Sequence, residues 1–250
     1  AAMPDIAVLS FAALDAGDLL LNNGLHSDAV RAYRLALPHK ILIEKQRERL
    51  RATQQALAQQ SLFASSIWKS HSQQLVARLT RQLERLETME DYTPSLYLRS
   101  GQAYLLGQRF REATILFREV AVDSDFENDI RAQAHYRWIL ARCDAEDWES
   151  ARATAQLFLA EHPDHKLANS ALFLIARAYQ GEGLYSDAIG VLDELIANFP
   201  DDTQASRWYF TRGYNYSVLE QQTKARENFD TALERFPKST LAEQIELWRG

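Results

Sequence analysis

The chain has 250 residues, 46% of them hydrophobic, with 9 Gly, 6 Pro and a formal net charge of −6. That acidic balance excludes the basic domain by which a nucleic-acid binder normally announces itself, and no apolar run approaches the roughly 20 residues of a membrane-spanning helix. Few Gly and Pro, no β-branched runs and abundant Ala, Leu, Gln, Arg and Glu predict an all-α fold. Cys143, the only cysteine, lies in an apolar helical stretch; it rules out an intramolecular disulfide or a cysteine metal cluster and reads as a small buried hydrophobe. The opening Ala-Ala-Met-Pro-Asp has neither the charged nor the apolar part of a signal peptide, so the expectation is a cytosolic protein or one that has lost a targeting segment.

The first predicted hairpin spans residues 6–38, with Gly17, Ala29, Tyr33 and Ala36 at its small and aromatic positions. The second, 39–92, departs from the rest: Lys40–Gln60 and Leu62–Glu90 read as two long helices without Gly or Pro, and Leu75, Leu79, Leu83 and Leu86 recur on one helix face. From His39 to Arg85 nine basic residues face three acidic ones, a local net of +6 in an acidic chain. That stretch is either a solvated face or, through Arg47, Arg51, Arg78, Arg81 and Arg85, a docking surface for an acidic partner or anionic lipid head groups. It is expected to stack in the array or to project as an arm, and a homodimer through residues 39–90 is an open alternative.

Hairpin 93–127 centres on Ala113, with Tyr97, Gly101, Tyr104 and Phe110 before it and Phe117 and Val120 after it. Hairpin 129–163 centres on Ala151. Its position twelve before is Ile139, with a small residue only at Ala141, which implies a two-residue deletion in the inter-helix turn or an altered helix contact. Hairpins 167–200 and 204–237 centre on Ala188 and Ala225, preceded by Ala176 and Gly213. Residues 240–250, with Leu241, Ile245 and Trp248, form a capping helix or the first half of another repeat.

Pro163, Pro200 and Pro237 are 37 residues apart, each with Ala five positions later. Such a period is the signature of a solenoid, in which each hairpin buries its apolar face only against its neighbours. The offsets resemble the tetratricopeptide repeat: a large residue, Gly or Ala four later, an aromatic three beyond, then Ala-x-x-x-Phe before a closing Pro. The resemblance implies a right-handed superhelix of stacked helical hairpins whose concave groove, lined by the first helix of each pair, holds a partner's peptide or helix. Carried onto this sequence, the groove positions are Leu14, Asp18 and Leu21, then Leu98, Gln102 and Leu105, then Phe173, Arg177 and Gln180, then Phe210, Tyr214 and Ser217. Phe173, Phe210 and Leu98 either face the groove or pack between hairpins. Chaperone-tail binders of the family carry Lys and Asn at two of these positions; none of the four pairs here matches, so that specificity is not expected. Phe199-Pro200 and Phe236-Pro237 are also similar to repeats of two bacterial envelope proteins, the barrel-assembly repeat lipoprotein and the Tol–Pal periplasmic repeat protein. That likeness covers about residues 130–245 and implies a periplasmic location, with the cytoplasm as the alternative; the lipoprotein's N-terminal Cys has no counterpart here.

Two constellations invite a chemical reading. His162-Pro163-Asp164-His165 puts two imidazoles in one turn, but a metal would need further ligands brought in by the fold, and the closing Pro already explains the turn. Asp123, Asp125, Glu127 and Asp129 resemble a calcium loop, yet Asn128 stands where Gly is needed and Ala134 where Glu is needed; the expectation is a solvated turn in which Asn128 or Asp129 caps the next helix. No phosphate loop, nucleophile elbow or metalloprotease helix is present. The reading is a non-catalytic scaffold without cofactor or metal that binds another protein. The alternative is a regulatory or sensor domain of a larger polypeptide that binds one of its own segments.

Overall fold

The computed structural model describes residues 5–59 and 66–249; the predicted helix bounds at Gln60 and Leu62, and Gly250, lie outside the described residues. These hold thirteen α-helices and no strand, in two compact units, Ala1–Arg109 and Phe110–Gly250. The first unit contains α1 (Ile6–Asn22), α2 (His26–Tyr33), α3 (His39–Ala58), α4 (Ser66–Glu87) and α5 (Thr93–Leu106). The second contains α6 (Phe110–Val122), α7 (Asn128–Asp144), α8 (Trp148–Glu161), α9 (Ala168–Gly181), α10 (Tyr185–Asn198), α11 (Ala205–Val218), α12 (Gln222–Arg235) and α13 (Ala242–Arg249).

Helices α1, α5, α7, α9 and α11 all stop the same way. The second residue past the end has positive φ (Gly24 73°, Gln108 58°, Glu146 57°, Gly183 76°, Glu220 60°). The next N–H then reaches back to the third-last carbonyl of the helix, as in Leu25 to Leu20 at 2.9 Å and Gln221 to Tyr216 at 2.9 Å. This is the Schellman arrangement, which satisfies carbonyls that the helix end leaves open. Three of the five positions carry a side chain where glycine would be relaxed.

Within a hairpin the two helices approach until an aromatic ring lies on bare backbone. A Cβ at Gly17 would collide with the Tyr33 ring, and one at Gly213 with the Phe229 ring. On the facing helices Ala29, Ala188 and Ala225 are buried, so close packing is enforced from both sides. The hairpin around Ala151 keeps a three-residue turn, Ala145 to Asp147, between α7 and α8, as do α1–α2, α9–α10 and α11–α12. Of the two readings for it, the deletion is therefore excluded and the altered contact stands: Ile139, fully buried, occupies the place of a small residue.

The joints between hairpins α7–α8, α9–α10 and α11–α12 and the helix that follows each also repeat. His162, Phe199 and Phe236 share one backbone conformation, with φ of −133°, −133° and −127°, and each is followed by proline. Two residues after that proline, a side chain accepts from the backbone just ahead of the next helix. His165 Nδ1 accepts from Leu167 N at 3.2 Å, Asp202 Oδ1 from Gln204 N at 2.7 Å, and Ser239 Oγ from Leu241 N at 3.2 Å. The core of the second unit is continuous, because Leu172 and Val191 pack against both the cluster around Phe158 and the cluster around Trp208. In the first unit, Leu42 and Leu86 join α3 and α4 to Ala7 of α1. Tyr92 donates to the Leu37 carbonyl at 2.7 Å, tying the approach to α5 to the α2–α3 loop.

These geometries predict opposite effects at equivalent sites. Gly183→Ala meets no atom within 4 Å, so its cost is conformational, about 1–2 kcal/mol. Glu220→Gly should stabilise by about 0.5–1 kcal/mol, whereas Gly213→Ala should cost about 1–3 kcal/mol through overpacking against Phe229. Urea unfolding of the three variants measures all of these.

Candidate functional site

In the second unit, α9, α11 and the α13 segment leave a cleft of about 360 Å³. Helix α9 contributes Phe173, Arg177 and Gln180; α11 contributes Arg207, Phe210, Thr211 and Tyr214; Leu241, Gln244 and Trp248 close it from the last segment. The α9 and α11 residues recur at intervals of three and four, which keeps each set on one helix face. The cleft floor is aromatic and belongs to the core. Phe173 is only 4% exposed, and the Arg207 guanidinium lies over its ring at 4.7 Å. Phe210 is half-buried and packs on the core around Trp208. Tyr214 meets Trp248 edge-on, with ring centroids 5.1 Å apart.

Two cations mark one side. Arg177 Nη2 sits 3.5 Å from Asp144 Oδ1, and both side chains are well exposed, a long pair of little energetic weight. Arg207 is exposed and has no acidic partner among the described residues. Both guanidinium groups stand close enough to Tyr136 to favour its ionised form, although burial dominates and raises its pKa. The cleft thus joins an apolar aromatic floor to a cationic rim, which suits an acidic segment that also carries a large apolar side chain.

Of the groove residues named from sequence, Phe173, Arg177, Gln180, Phe210 and Tyr214 come together here. Ser217, half-buried on α11, is not part of the lining. Leu98, Gln102 and Leu105 are half-buried on α5 and belong to the first unit. On α1, Asp18 is already engaged, accepting from Tyr33 Oη at 2.6 Å and pairing with Arg99. Arg177 is the one basic residue among the groove positions read from the repeat register. Arg207, Thr211, Leu241, Gln244 and Trp248 escaped that reading, although Arg207, Thr211 and Tyr214 share the i, i+4, i+7 spacing and extending the face one turn backwards would have found Arg207.

The basic residues of the first unit divide. Arg47 is paired with Glu87 at 2.7 Å and Glu44 at 3.7 Å. Arg51, Arg78, Arg81 and Arg85 are exposed. Arg78 and Arg81 join Arg49, Trp68 and His71 around a cleft of about 860 Å³ between α3 and α4.

The turn His162–His165 is split by the fold. His165 serves as the capping residue of its joint and binds Asp129 through Nε2 at 3.0 Å, whereas His162 turns inward. Neither Asn128 nor Asp129 caps α7; both lie inside its first turn. Glu127 holds the cap position without a side-chain bond, and hydrogen bonds from His165 and Gln133, together with Lys166, lower the Asp129 carboxyl to about 2. Among the described residues, one group has ligand atoms close enough for a metal ion: His135, Glu161 and His162. Burial pushes the His135 imidazole down to about 4; the Thr154 backbone favours its charged form without reaching hydrogen-bond geometry.

Residues 136–203, from α7 to the start of the last hairpin, match the tetratricopeptide repeat family model. That stretch is similar to tetratricopeptide repeats. The segment supplies Phe173, Arg177 and Gln180, one wall of the cleft. Among solved structures, the chain is similar to YrrB, a tetratricopeptide-repeat protein with an unusual peptide-binding site (15% identity, 95% of this chain and 91% of that one, TM-score 0.50). It is also similar to a single-residue variant of a Podosopora anserina putative kinesin light chain with nearly identical tetratricopeptide-like repeats (16% identity, 81% and 100% covered, TM-score 0.51). At that identity the likeness shows the fold, an all-helical stack of repeats. No curated protein matches the chain. No helix among the described residues is long and apolar enough to cross a membrane.

In the core around Phe158, Cys143 is 1% exposed and burial pushes its thiol up to about 11. A buried thiol with so little thiolate is a poor nucleophile. Iodoacetamide should leave the native protein unlabelled at neutral pH and label it once in urea, as read by intact-mass spectrometry.

Proposed function

We propose that this protein is a non-catalytic interaction module that holds an acidic, aromatic- or leucine-bearing segment of a partner protein in the α9–α11–α13 cleft. The observation that carries the reading is the pairing of Arg177 and Arg207 with the Phe173, Phe210, Tyr214 and Trp248 rings in one concavity. Large rings and arginine dominate binding energies because they bury much area at low entropic cost and offer directional donors. The tetratricopeptide match supports the reading, since the repeats of that family serve mainly as protein-binding scaffolds. A cleft this small accepts a few side chains, so the occupant is a short peptide or one face of a helix. The envelope likeness of residues 130–245 favours a periplasmic partner, with the cytoplasm as the alternative. The exposed arginines between α3 and α4 support a second, weaker contact with an anionic surface.

A short-peptide array probed with the whole protein tests this. Binding peptides should be enriched in Asp or Glu next to an aromatic or leucine, and Arg177→Glu/Arg207→Glu should weaken them at least tenfold, equivalent to about 1.4 kcal/mol. The loss should shrink at high salt, with the circular dichroism of the variant unchanged. Binding of the same peptides by a folded double variant would contradict the assignment.

A further inference from the structure

Three side chains unconnected with the cleft converge where α7 meets the end of α8. His135 and His162 are 1% and 3% exposed, with ring centroids 6.0 Å apart. Glu161 Oε2 lies 3.6 Å from His135 Nδ1 and 3.9 Å from His162 Nε2. Buried polar groups are ordinarily satisfied, yet all four imidazole nitrogens lack a hydrogen-bond partner. A bound cation would complete one nitrogen of each ring.

The sister repeats show what this register requires when it only has to pack. One repeat later the three positions are Leu172, Asn198 and Phe199; two repeats later they are Tyr209, Arg235 and Phe236. In that last copy the polar atoms satisfy one another, Arg235 donating to Tyr209 Oη at 3.1 Å, while the Tyr209 and Phe236 rings pack 6.3 Å apart. The same place in the α7–α8 repeat holds two imidazoles and a carboxylate. The rings pack on Trp138 and Phe158, but packing leaves their nitrogens unpaired, whereas two nitrogens and one oxygen form a donor set suited to a borderline divalent cation.

We propose that His135, Glu161 and His162 bind Zn²⁺, which staples α7 to the end of α8. Tetrahedral Zn²⁺ with bonds near 2.05 Å sets ligand edges of about 3.4 Å, so the observed separations need only small side-chain movements to close. The Glu161 side chain is 41% exposed, which gives the ion an entry path and leaves the fourth position to water. His165 is not a ligand, since its Nε2 is taken by Asp129 and its Nδ1 by the Leu167 N–H. The nearby Arg131 guanidinium is held on the Ala121 carbonyl at 3.1 Å.

The test uses the whole chain, stripped with a chelator and titrated with Zn²⁺ alone, then with Co²⁺. One equivalent of Zn²⁺ should bind and raise the melting temperature, and Co²⁺ should give the intense visible bands of a tetrahedral site. His135→Leu/His162→Phe, which installs the residues of the sister repeats, should fold and lose both responses; Glu161→Gln should weaken binding at least tenfold. Absence of a stoichiometric site in the wild type overturns the proposal, as does Zn²⁺ binding unchanged in the double variant. Should the double variant fail to fold, the exposed Glu161→Gln variant decides: unchanged affinity there overturns the proposal.

Discussion

How closely two helices can approach governs the rest of this structure. Phe229 lies on the bare backbone of Gly213 and Tyr33 on that of Gly17, while buried alanines face them from the partner helices. Protein interiors are packed densely enough that one added methyl group is felt. These contacts therefore fix the depth and rotation of the α1–α2 and α11–α12 hairpins. Rotation in turn decides which residues of α9 and α11 point away from the core, so the cleft is set by residues that never touch its contents. The Schellman ends act in the same direction, because a three-residue turn with one left-handed position leaves little freedom in how the second helix returns.

Much of this was legible in the chain, for identifiable reasons. Small residues and prolines at a fixed period leave a mark that does not depend on knowing the fold, and they define a register from which Phe173, Arg177, Phe210 and Tyr214 follow. What was hidden depends on contacts between distant residues. The cap role expected of Asn128 or Asp129 falls to Glu127, and the Asp129 carboxylate is engaged instead by His165 and Lys166, far along the chain. The left-handed residues Gln108, Glu146 and Glu220 carry no glycine signal. His162 neighbours His165 across the turn, with ring centroids 6.3 Å apart, but His135, brought to it by the hairpin, lies as close at 6.0 Å, and nothing in the local sequence marks that contact.

The cleft and the histidine cluster are linked through α7, which packs against both α8 and α9. An ion holding α7 to α8 would stiffen the support on which Phe173 and Arg177 are mounted. The two proposals stand on separate residues, so either can fail without the other. In the first unit the groove residue Asp18 of α1 is engaged internally by Tyr33 and Arg99.

The most direct test of the account is site-specific photocrosslinking in the native host. A benzophenone amino acid is placed in turn at Phe210, in the cleft, and at Leu157, exposed on the second helix of its hairpin. The account predicts a discrete protein adduct from position 210, mapping to an acidic segment of the partner, and none from position 157. An adduct from position 157 with none from position 210 would contradict it.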